Sequence, residues 1–182
     1  MSTFNVPKRE EVSANNQAIF DNLEKAVGFV PNLFATYAHS ENALGNYLNL
    51  SNAKTSLKTK EKEVVNLAVS EVNNCIYCLS AHTAIAKMNG FTDAQILELR
   101  AGQASFDNKL DALARLARNI TENRGATDAT VVENFFQAGW TKENLIDTIV
   151  LVGDKTISNY INNTTEIPVD FPVAQPLEAA TV

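Results

Sequence analysis

The sequence lacks the features that would direct the chain to a membrane or out of the cell. The N-terminus, MSTFNVPKREE, has no apolar core of the kind found in secretory signals. No apolar run approaches the roughly 20 residues that a membrane-spanning helix requires. From these absences we expect a cytoplasmic protein without a membrane partner.

Basic residues are too few and too scattered to form a nucleic-acid surface. The chain has 15 lysines and arginines against 21 aspartates and glutamates, which gives a net charge of −6. The densest basic run, 58–62, is interrupted by Glu61. Because nucleic-acid binding depends on cations that displace counterions from phosphates, we expect no nucleic-acid partner.

Strand patterns are also missing. No sustained alternation of apolar and polar residues runs between turn residues, as a half-buried strand requires. Apolar residues instead recur every three or four positions, which is typical of helices packed on a core. In the last long helix, 141–163, this spacing predicts a buried side made of Leu145, Ile149, Val152, Ile157 and Ile161. We therefore predict an all-α fold.

The length of 182 residues suits a single domain with its own core. Residues 1–14 are polar, and we expect them to form an N-terminal arm. The helical domain is predicted to span residues 15–166. In the C-terminal tail, 167–182, three prolines prevent a continuing helix.

Cysteine and histidine are scarce, with two residues of each. Cys75 and Cys78 are too close together for the disulfide framework of a secreted domain, so the pair indicates redox chemistry or metal binding. A structural zinc site takes four ligands, which would require His82 and the distant His39 as well. Covalent haem attachment requires histidine after the second cysteine, where Leu79 stands. We expect neither a metal nor a cofactor.

The cysteine pair has surroundings that favour a thiolate, the reactive form of the side chain. Asn73-Asn74 predicts a break, so that Cys75 and Cys78 lie in the first turn of a new helix. Unpaired backbone N–H groups in that turn favour negative charge. His82 follows Cys78 by one turn on the same face, within reach of a hydrogen bond.

A carboxylate partner for His82 is predicted by the same break. If the chain reverses at Asn73-Asn74, Glu63 lies about 15 Å before the bend and His82 about 12 Å after it, at 1.5 Å per residue. The two side chains would then face each other on antiparallel helices. A carboxylate there would hold the imidazole in one tautomer and let it relay a proton.

The sequence allows more than one interpretation of these residues. The helix position favours Cys75 as the nucleophile, whereas the contact with His82 favours Cys78, and we adopt Cys78. Tyr77, between the cysteines, is a candidate pocket residue. The alternative is that Cys75 and Cys78 are two small residues packed in the core, with no catalytic role.

Glu63, the sequence Cys75-Ile-Tyr-Cys78 and His82 together resemble the alkylhydroperoxidase D (AhpD) motif of the carboxymuconolactone decarboxylase superfamily. The resemblance extends more weakly over about residues 20–165. It implies an AhpD-like helical domain, assembly into trimers or hexamers, and a peroxidase or disulfide-reductase activity. It also implies that Cys78 attacks the peroxide and Cys75 closes the disulfide, with Glu63 and His82 as proton relay.

One position departs from the family, since its best-studied peroxidase branch has a histidine where this chain has Tyr77. The decarboxylase branch lacks the cysteine pair, so lactone decarboxylation is not expected. We predict a thiol peroxidase that uses a hydroperoxide substrate and a dithiol or protein reductant. The alternatives are a redox partner or sensor for another protein, and a non-catalytic oligomeric helical protein.

Overall fold

The computed structural model describes residues 4–177. Within that range the chain forms nine α-helices, one short 3₁₀ turn at Arg9–Glu11 and no strand, which confirms the all-α fold. The helices are α1 (Ala14–Val27), α2 (Asn32–Tyr37), α3 (Ala43–Ser51), α4 (Thr59–Val72), α5 (Ile76–Met88), α6 (Asp93–Arg100), α7 (Asn108–Glu122), α8 (Ala129–Gln137) and α9 (Lys142–Thr165). None of these helices is long and apolar enough to cross a bilayer.

Helix α4 is the centre of the domain. It packs against α5, α6, α7 and α9, and every residue from 63 to 70 is buried. A helix that is buried on all sides needs neighbours on all sides, and these four helices supply them. Most of its buried residues are apolar, so the polar Glu63 is held in a fixed position among packed side chains.

The chain reverses between α4 and α5 as the two asparagines predict. Asn74 has a φ of 52°, a left-handed conformation that asparagine tolerates better than most residues. The Cys75 N–H donates to the Ser70 carbonyl at 3.0 Å, which closes the bend. Helix α5 therefore starts directly behind the end of α4, and Cys75 is its N-cap residue.

The core has two parts, and the cysteines belong to the smaller one. The larger cluster fills the space between α4, α6, α7 and α8. The smaller cluster joins Cys75, Cys78 and Tyr77 to apolar residues of α1, α2 and α3 and to Ile167. The N-terminal helices thus cover the thiols, which leaves Cys75 0% and Cys78 2% exposed.

The predicted buried side of α9 is wrong for two of its residues. Ile149 and Ile157 are 45% and 43% exposed, whereas Val152 is buried as predicted. The side of α9 that faces the protein is mainly polar: Thr148, Asp154, Lys155, Ser158, Asn159 and Asn162. The apolar spacing identified the helix correctly, but polar side chains from α3, α4 and α5 meet it on the inside.

The C-terminal tail lies along the helical body as far as it is described. Residues 166–177 contain no helix, as the prolines require. Ala174 is buried, and its N–H donates to the Ser80 hydroxyl at 3.0 Å. The Arg100 guanidinium donates to the Gln175 carbonyl at 2.7 Å. Residues 178–182 of the predicted tail, and residues 1–3 of the predicted arm, lie outside the described range.

Shortening a buried side chain of α4 in the larger core should destabilise the whole domain. Leu67 is 0% exposed, so Leu67→Ala removes buried methyl groups and leaves a cavity, with an expected loss of about 2–5 kcal/mol in the free energy of unfolding. Leu97→Ala is the control, because that side chain is 42% exposed and should lose under about 1 kcal/mol. Denaturant titration measures both, and equal losses would contradict the central place of α4.

Candidate active site

The two cysteines lie together at the start of α5. Cys75 has an extended backbone conformation, φ −90° and ψ 92°, and its sulfur accepts a hydrogen bond from the Cys78 N–H at 3.3 Å. Both are free thiols. The first turn of the helix therefore brings the two sulfurs side by side in a buried position.

The two thiols differ in acidity. A hydrogen bond from the Cys75 thiol lowers the pKa of Cys78, and burial opposes this effect without cancelling it. The Lys155 ammonium and the Asn159 amide also lower the pKa of Cys78. The same hydrogen bond, together with burial, raises the pKa of Cys75. Cys78 is thus the group that ionises first, with Cys75 as its hydrogen-bond donor.

The structure brings Glu63 and His82 together from facing helices. His82 Nδ1 lies 2.8 Å from Glu63 Oε2, and the Asn66 amide donates to Glu63 Oε1 at 3.0 Å. A carboxylate only accepts, so the imidazole proton is on Nδ1 and the neutral ring has its lone pair on Nε2. The pair defines the tautomer of His82 and directs Nε2 away from Glu63.

Charge on the Glu63–His82 pair is set by burial and by Lys155. Burial raises the pKa of Glu63, but the hydrogen bonds and charge of His82, with help from Asn66, outweigh it and leave that pKa below its usual value. Burial and the Lys155 ammonium lower the pKa of His82 against the opposing effect of Glu63. At neutral pH the site therefore holds an ionised Glu63 and a neutral His82.

The predicted hydrogen bond between His82 and Cys78 is not formed. In the described part of the chain, the hydrogen bond of the His82 ring goes to Glu63. The acidity of Cys78 comes instead from Cys75, Lys155 and Asn159. A proton passing between Cys78 and His82 therefore needs a bridging water or substrate atom.

Lys155 on α9 is the main residue that the sequence analysis missed. Its side chain is buried, with only 6% of the residue exposed. Burial acts to lower the pKa of Lys155, but the acidic groups of Tyr47, Cys78, Asp154 and Glu63 together raise it. The ammonium is therefore retained inside the protein, next to the thiols. A signal was present in the sequence, because Lys155, Asn159 and Asn162 recur at helical spacing on one side of a helix.

Polar contacts fix α9 against the helices that bear the other site residues. The Asn159 amide donates to the Ser70 hydroxyl at 3.2 Å and accepts from the Asn73 amide at 2.9 Å. The preceding residue contacts α3, because the Ser158 hydroxyl donates to the Tyr47 hydroxyl at 2.7 Å. These bonds fix the position of α9, which carries Lys155, against α3 and α4.

Tyr77, the candidate pocket residue, lies in the packed core between α2 and the tail. Its hydroxyl accepts from the Leu33 N–H at 3.2 Å. Its ring meets the Phe171 ring edge to face, with centroids 5.7 Å apart. With 2% of its surface exposed, Tyr77 joins secondary-structure elements in this structure.

His39 is placed away from the other three residues of the zinc alternative. Its Nε2 contacts the Asn5 carbonyl at 2.9 Å, and its ring meets the edge of Phe4. Among residues 4–177 no group of three or more histidine, cysteine, aspartate or glutamate side chains is arranged to hold a metal ion. The geometry of the described residues gives no support to the zinc alternative.

Two depressions border α9. A cavity of about 50 Å³, with room for water, is lined by Lys62, Asp147 and Asp154. Asp154 Oδ1 is buried and has no hydrogen-bond partner among the described residues. The second depression, a groove of about 380 Å³, is lined mainly by apolar atoms, including those of Tyr37 and Tyr160.

Removing the Lys155 ammonium should raise the pKa of Cys78, because that charge stabilises the thiolate. In Lys155→Met we expect the titration midpoint of Cys78 to move to higher pH, which lowers the thiolate fraction at neutral pH. Ultraviolet absorbance of the thiolate, followed during a pH titration, measures the midpoint, and circular dichroism checks the fold. Lys142→Met, an exposed position at the start of the same helix, is the control. An unchanged midpoint in Lys155→Met would remove Lys155 from the account of thiol acidity.

The comparisons with known proteins concern the family and the fold of the chain. Residues 38–122 match the model of the carboxymuconolactone decarboxylase family, a segment that contains Glu63, Cys75, Cys78 and His82. No curated protein matches the chain in sequence.

Solved structures share the fold at low sequence identity. A peroxidase-related protein with an alkylhydroperoxidase AhpD core from Ralstonia eutropha JMP134 is 21% identical, with a TM-score of 0.83 over 93% of this chain and 92% of its own. A peroxidase-related protein from Silicibacter sp. TM1040 is 20% identical, with a TM-score of 0.79 over 91% and 90%. A cysteine-to-alanine variant of the debrominase Bmp8, in complex with 2,3,4-tribromopyrrole, is 16% identical, with a TM-score of 0.76 over 93% and 94%. Residues 38–122 are thus similar to the carboxymuconolactone decarboxylase family, and the chain shares the fold of the alkylhydroperoxidase AhpD core.

Proposed function

We propose that the chain is a thiol-dependent peroxidase that reduces organic hydroperoxides through a disulfide between Cys75 and Cys78. The observation that carries the proposal is the polarised thiol pair, in which Cys75 lowers the pKa of Cys78 beside the buried Lys155. Thiol acidity of this kind is rare in structural cysteines, which are inert when buried among apolar groups. The proposal makes Cys78 the nucleophile and Cys75 the resolving residue.

In the first step, the Cys78 thiolate attacks the terminal oxygen of the hydroperoxide. A sulfur–oxygen bond forms, the oxygen–oxygen bond breaks, and Cys78 becomes a sulfenic acid. When the Cys78 thiol ionises, its proton passes through a bridging water to Nε2 of His82. The departing alkoxide then takes this proton from His82. Glu63 stabilises the imidazolium in between, since its carboxylate lies 2.8 Å from Nδ1.

In the second step, Cys75 attacks the sulfenic sulfur of Cys78. The disulfide forms and the hydroxyl group leaves as water with the proton of Cys75. The helix turn favours this closure because the Cys78 N–H already donates to the Cys75 sulfur at 3.3 Å. An external dithiol or a protein reductant then supplies two electrons and returns both thiols.

The names of several fold neighbours support the reaction class. Two are described as peroxidase-related, and a protein of unknown function from Agrobacterium tumefaciens is described as a putative antioxidant defence protein AhpD. The debrominase Bmp8 has the same fold, so 2,3,4-tribromopyrrole belongs beside hydroperoxides in a substrate test. These neighbours are all below 25% identity, and the thiol geometry remains the main argument.

One equivalent of an organic hydroperoxide should convert the two free thiols into one disulfide. Differential alkylation of the native protein followed by mass spectrometry measures the change. In Cys75→Ser the sulfenic acid should persist on Cys78, because no resolving thiol is present, whereas Cys78→Ser should not react. If the wild-type protein reacted with 2,3,4-tribromopyrrole and not with the hydroperoxide, the substrate would be a halogenated compound instead of a peroxide.

Other outcomes would select the remaining alternatives. Rapid disulfide exchange with a dithiol, without turnover of peroxide, would indicate a redox partner or sensor. Thiols that stay reduced and resist alkylation until the protein is denatured would indicate a non-catalytic protein, and the proposal would be wrong.

Neutralising Glu63 should slow turnover without changing thiol acidity. We expect Glu63→Gln to reduce kcat by about 10²-fold or more, the range for losing general acid–base assistance. Because Glu63 raises the pKa of His82, its removal should also move the His82-dependent limb of the pH–rate profile to lower pH. Steady-state kinetics over a pH series measures both effects.

The matched control is Glu61→Gln on the same helix. The Glu61 carboxylate accepts from the Lys58 N–H, a bond that the amide oxygen of glutamine can replace. This variant should keep the kinetics of the wild type. A Glu63→Gln enzyme with an unchanged profile would exclude the proton relay.

A further inference from the structure

The segment that follows α9 packs against the part of the core that contains the two cysteines. Ile167 is buried in the same apolar cluster as the thiols, and Val169 and Phe171 pack against that cluster. The Phe171 ring meets the ring of Tyr77, which lies between the cysteines in the sequence, with centroids 5.7 Å apart. The tail is therefore part of the cover of the thiol pair, together with α1, α2 and α3.

The first anchor of the tail is at the start of α2. The Asn32 N–H donates to Asp170 Oδ2 at 2.7 Å, and the Asn32 side-chain amide donates to the Pro168 carbonyl at 3.1 Å. The Phe171 ring also meets the Phe29 ring edge to face, with centroids 5.7 Å apart. These contacts hold the beginning of the tail directly after the buried Ile167.

The second anchor lies farther along, on α5 and α6. The Ala174 N–H donates to the Ser80 hydroxyl at 3.0 Å, and the Arg100 guanidinium donates to the Gln175 carbonyl at 2.7 Å. Arg100 is itself held by Glu71 of α4, whose Oε2 accepts from Nε at 2.6 Å. The tail is thus attached at two places to a rigid helical body.

The tail can detach without the unfolding of a helix. Within the described residues 167–177 there is no helix and no hydrogen bond between two backbone groups of the segment itself. Its release breaks only the contacts of the two anchors, whereas displacing α1, α2 or α3 moves a whole helix out of the core. Local opening takes place most readily in segments that have few such contacts.

A reductant needs an opening of this kind. To reduce a Cys75–Cys78 disulfide, the thiolate of a dithiol forms a bond to one sulfur, and the other sulfur leaves as a thiolate. The second thiol of the dithiol then displaces the remaining sulfur, so that two electrons and two protons end on the cysteine pair. In the dithiol form that the structure shows, Cys75 is 0% and Cys78 is 2% exposed. Part of their cover must move before another thiol can reach either sulfur.

We propose that residues 168–177 are a lid that opens as a unit and admits the thiol of a reductant to the cysteine pair. Opening separates Phe171 from Tyr77 and Asp170 from Asn32, while Ile167 stays in the core. The existence of the lid rests on the contacts of the tail, whereas its use by a reductant rests on the proposed function.

Loosening the lid should increase the accessibility of the thiols in the folded protein. Phe171→Ala removes the ring contacts with Tyr77 and Phe29, and we expect native-state alkylation of Cys78 by iodoacetamide to become about tenfold faster. Val173→Ala is the control, because Val173 belongs to the same segment and is 66% exposed. That variant should react like the wild type. Mass spectrometry measures the rates, and circular dichroism checks that each variant folds.

Two further variants make the test independent of one substitution. Asp170→Ala removes the acceptor of the Asn32 N–H, and a chain that ends after Ile167 removes the lid altogether. Both should be alkylated faster than the wild type. Folded variants that all react at the wild-type rate would overturn the lid.

Low concentrations of urea separate opening of the lid from unfolding of the whole domain. If the thiols are reached by global unfolding, alkylation accelerates with the full m-value, because unfolding exposes most of the buried surface. Opening of the lid exposes only a short segment and the surface beneath it. The rates of the wild type and of Phe171→Ala should therefore stay nearly constant well below the unfolding midpoint. Rates that follow the full m-value would contradict the proposal.

The reduction step tests the use of the lid. In protein that a hydroperoxide has oxidised, the disulfide should be reduced by dithiothreitol faster in Phe171→Ala than in Val173→Ala. Equal rates of reduction would exclude a role of the lid in the entry of a reductant. If a hydroperoxide forms no disulfide in any variant, the proposed function fails, whereas the alkylation rates still decide whether the lid exists.

Discussion

The buried ammonium of Lys155 is the constraint that links the main features of this structure. Removing an ammonium group from water costs several kcal/mol unless acidic groups compensate it. Here Tyr47, Cys78, Asp154 and Glu63 provide that compensation and raise the pKa of Lys155 despite burial. To place the ammonium among them, α9 must turn its polar side inward. The apolar side then faces outward, which explains why a long helix of this domain exposes isoleucines.

The sequence allowed the site on α4 and α5 to be predicted because its information is local. The spacing from Glu63 to His82 and the break at Asn73-Asn74 require only helix geometry and one reversal. The contribution of Lys155 was missed, since its neighbours come from helices far away in the chain. The exposed Ile149 shows a related limit: apolar spacing predicts that a helix forms, but it does not say whether its apolar side meets this chain or another surface.

The departure at Tyr77 changes how protons can move near the thiols. A histidine at this position would add a group that titrates near neutral pH. Tyr77 instead accepts from the Leu33 N–H and packs against Phe171, so it ties α5 to other elements. In the proposed mechanism, proton transfer is left to His82, whose Nδ1 is hydrogen-bonded to Glu63. The proposed mechanism gives the two residues separate tasks, because Lys155 stabilises charge on Cys78 while His82 exchanges the proton.

Stabilising the Cys78 thiolate also affects the balance between the dithiol and the disulfide. In the reduced protein the thiolate is one of the acidic groups that compensate the Lys155 ammonium. A disulfide has no charge, so oxidation leaves the same buried ammonium with fewer acidic partners. Interactions that exist only in the reduced form favour that form and make the disulfide easier to reduce. The arrangement that stabilises the Cys78 thiolate therefore also favours the reduction of a Cys75–Cys78 disulfide back to the dithiol.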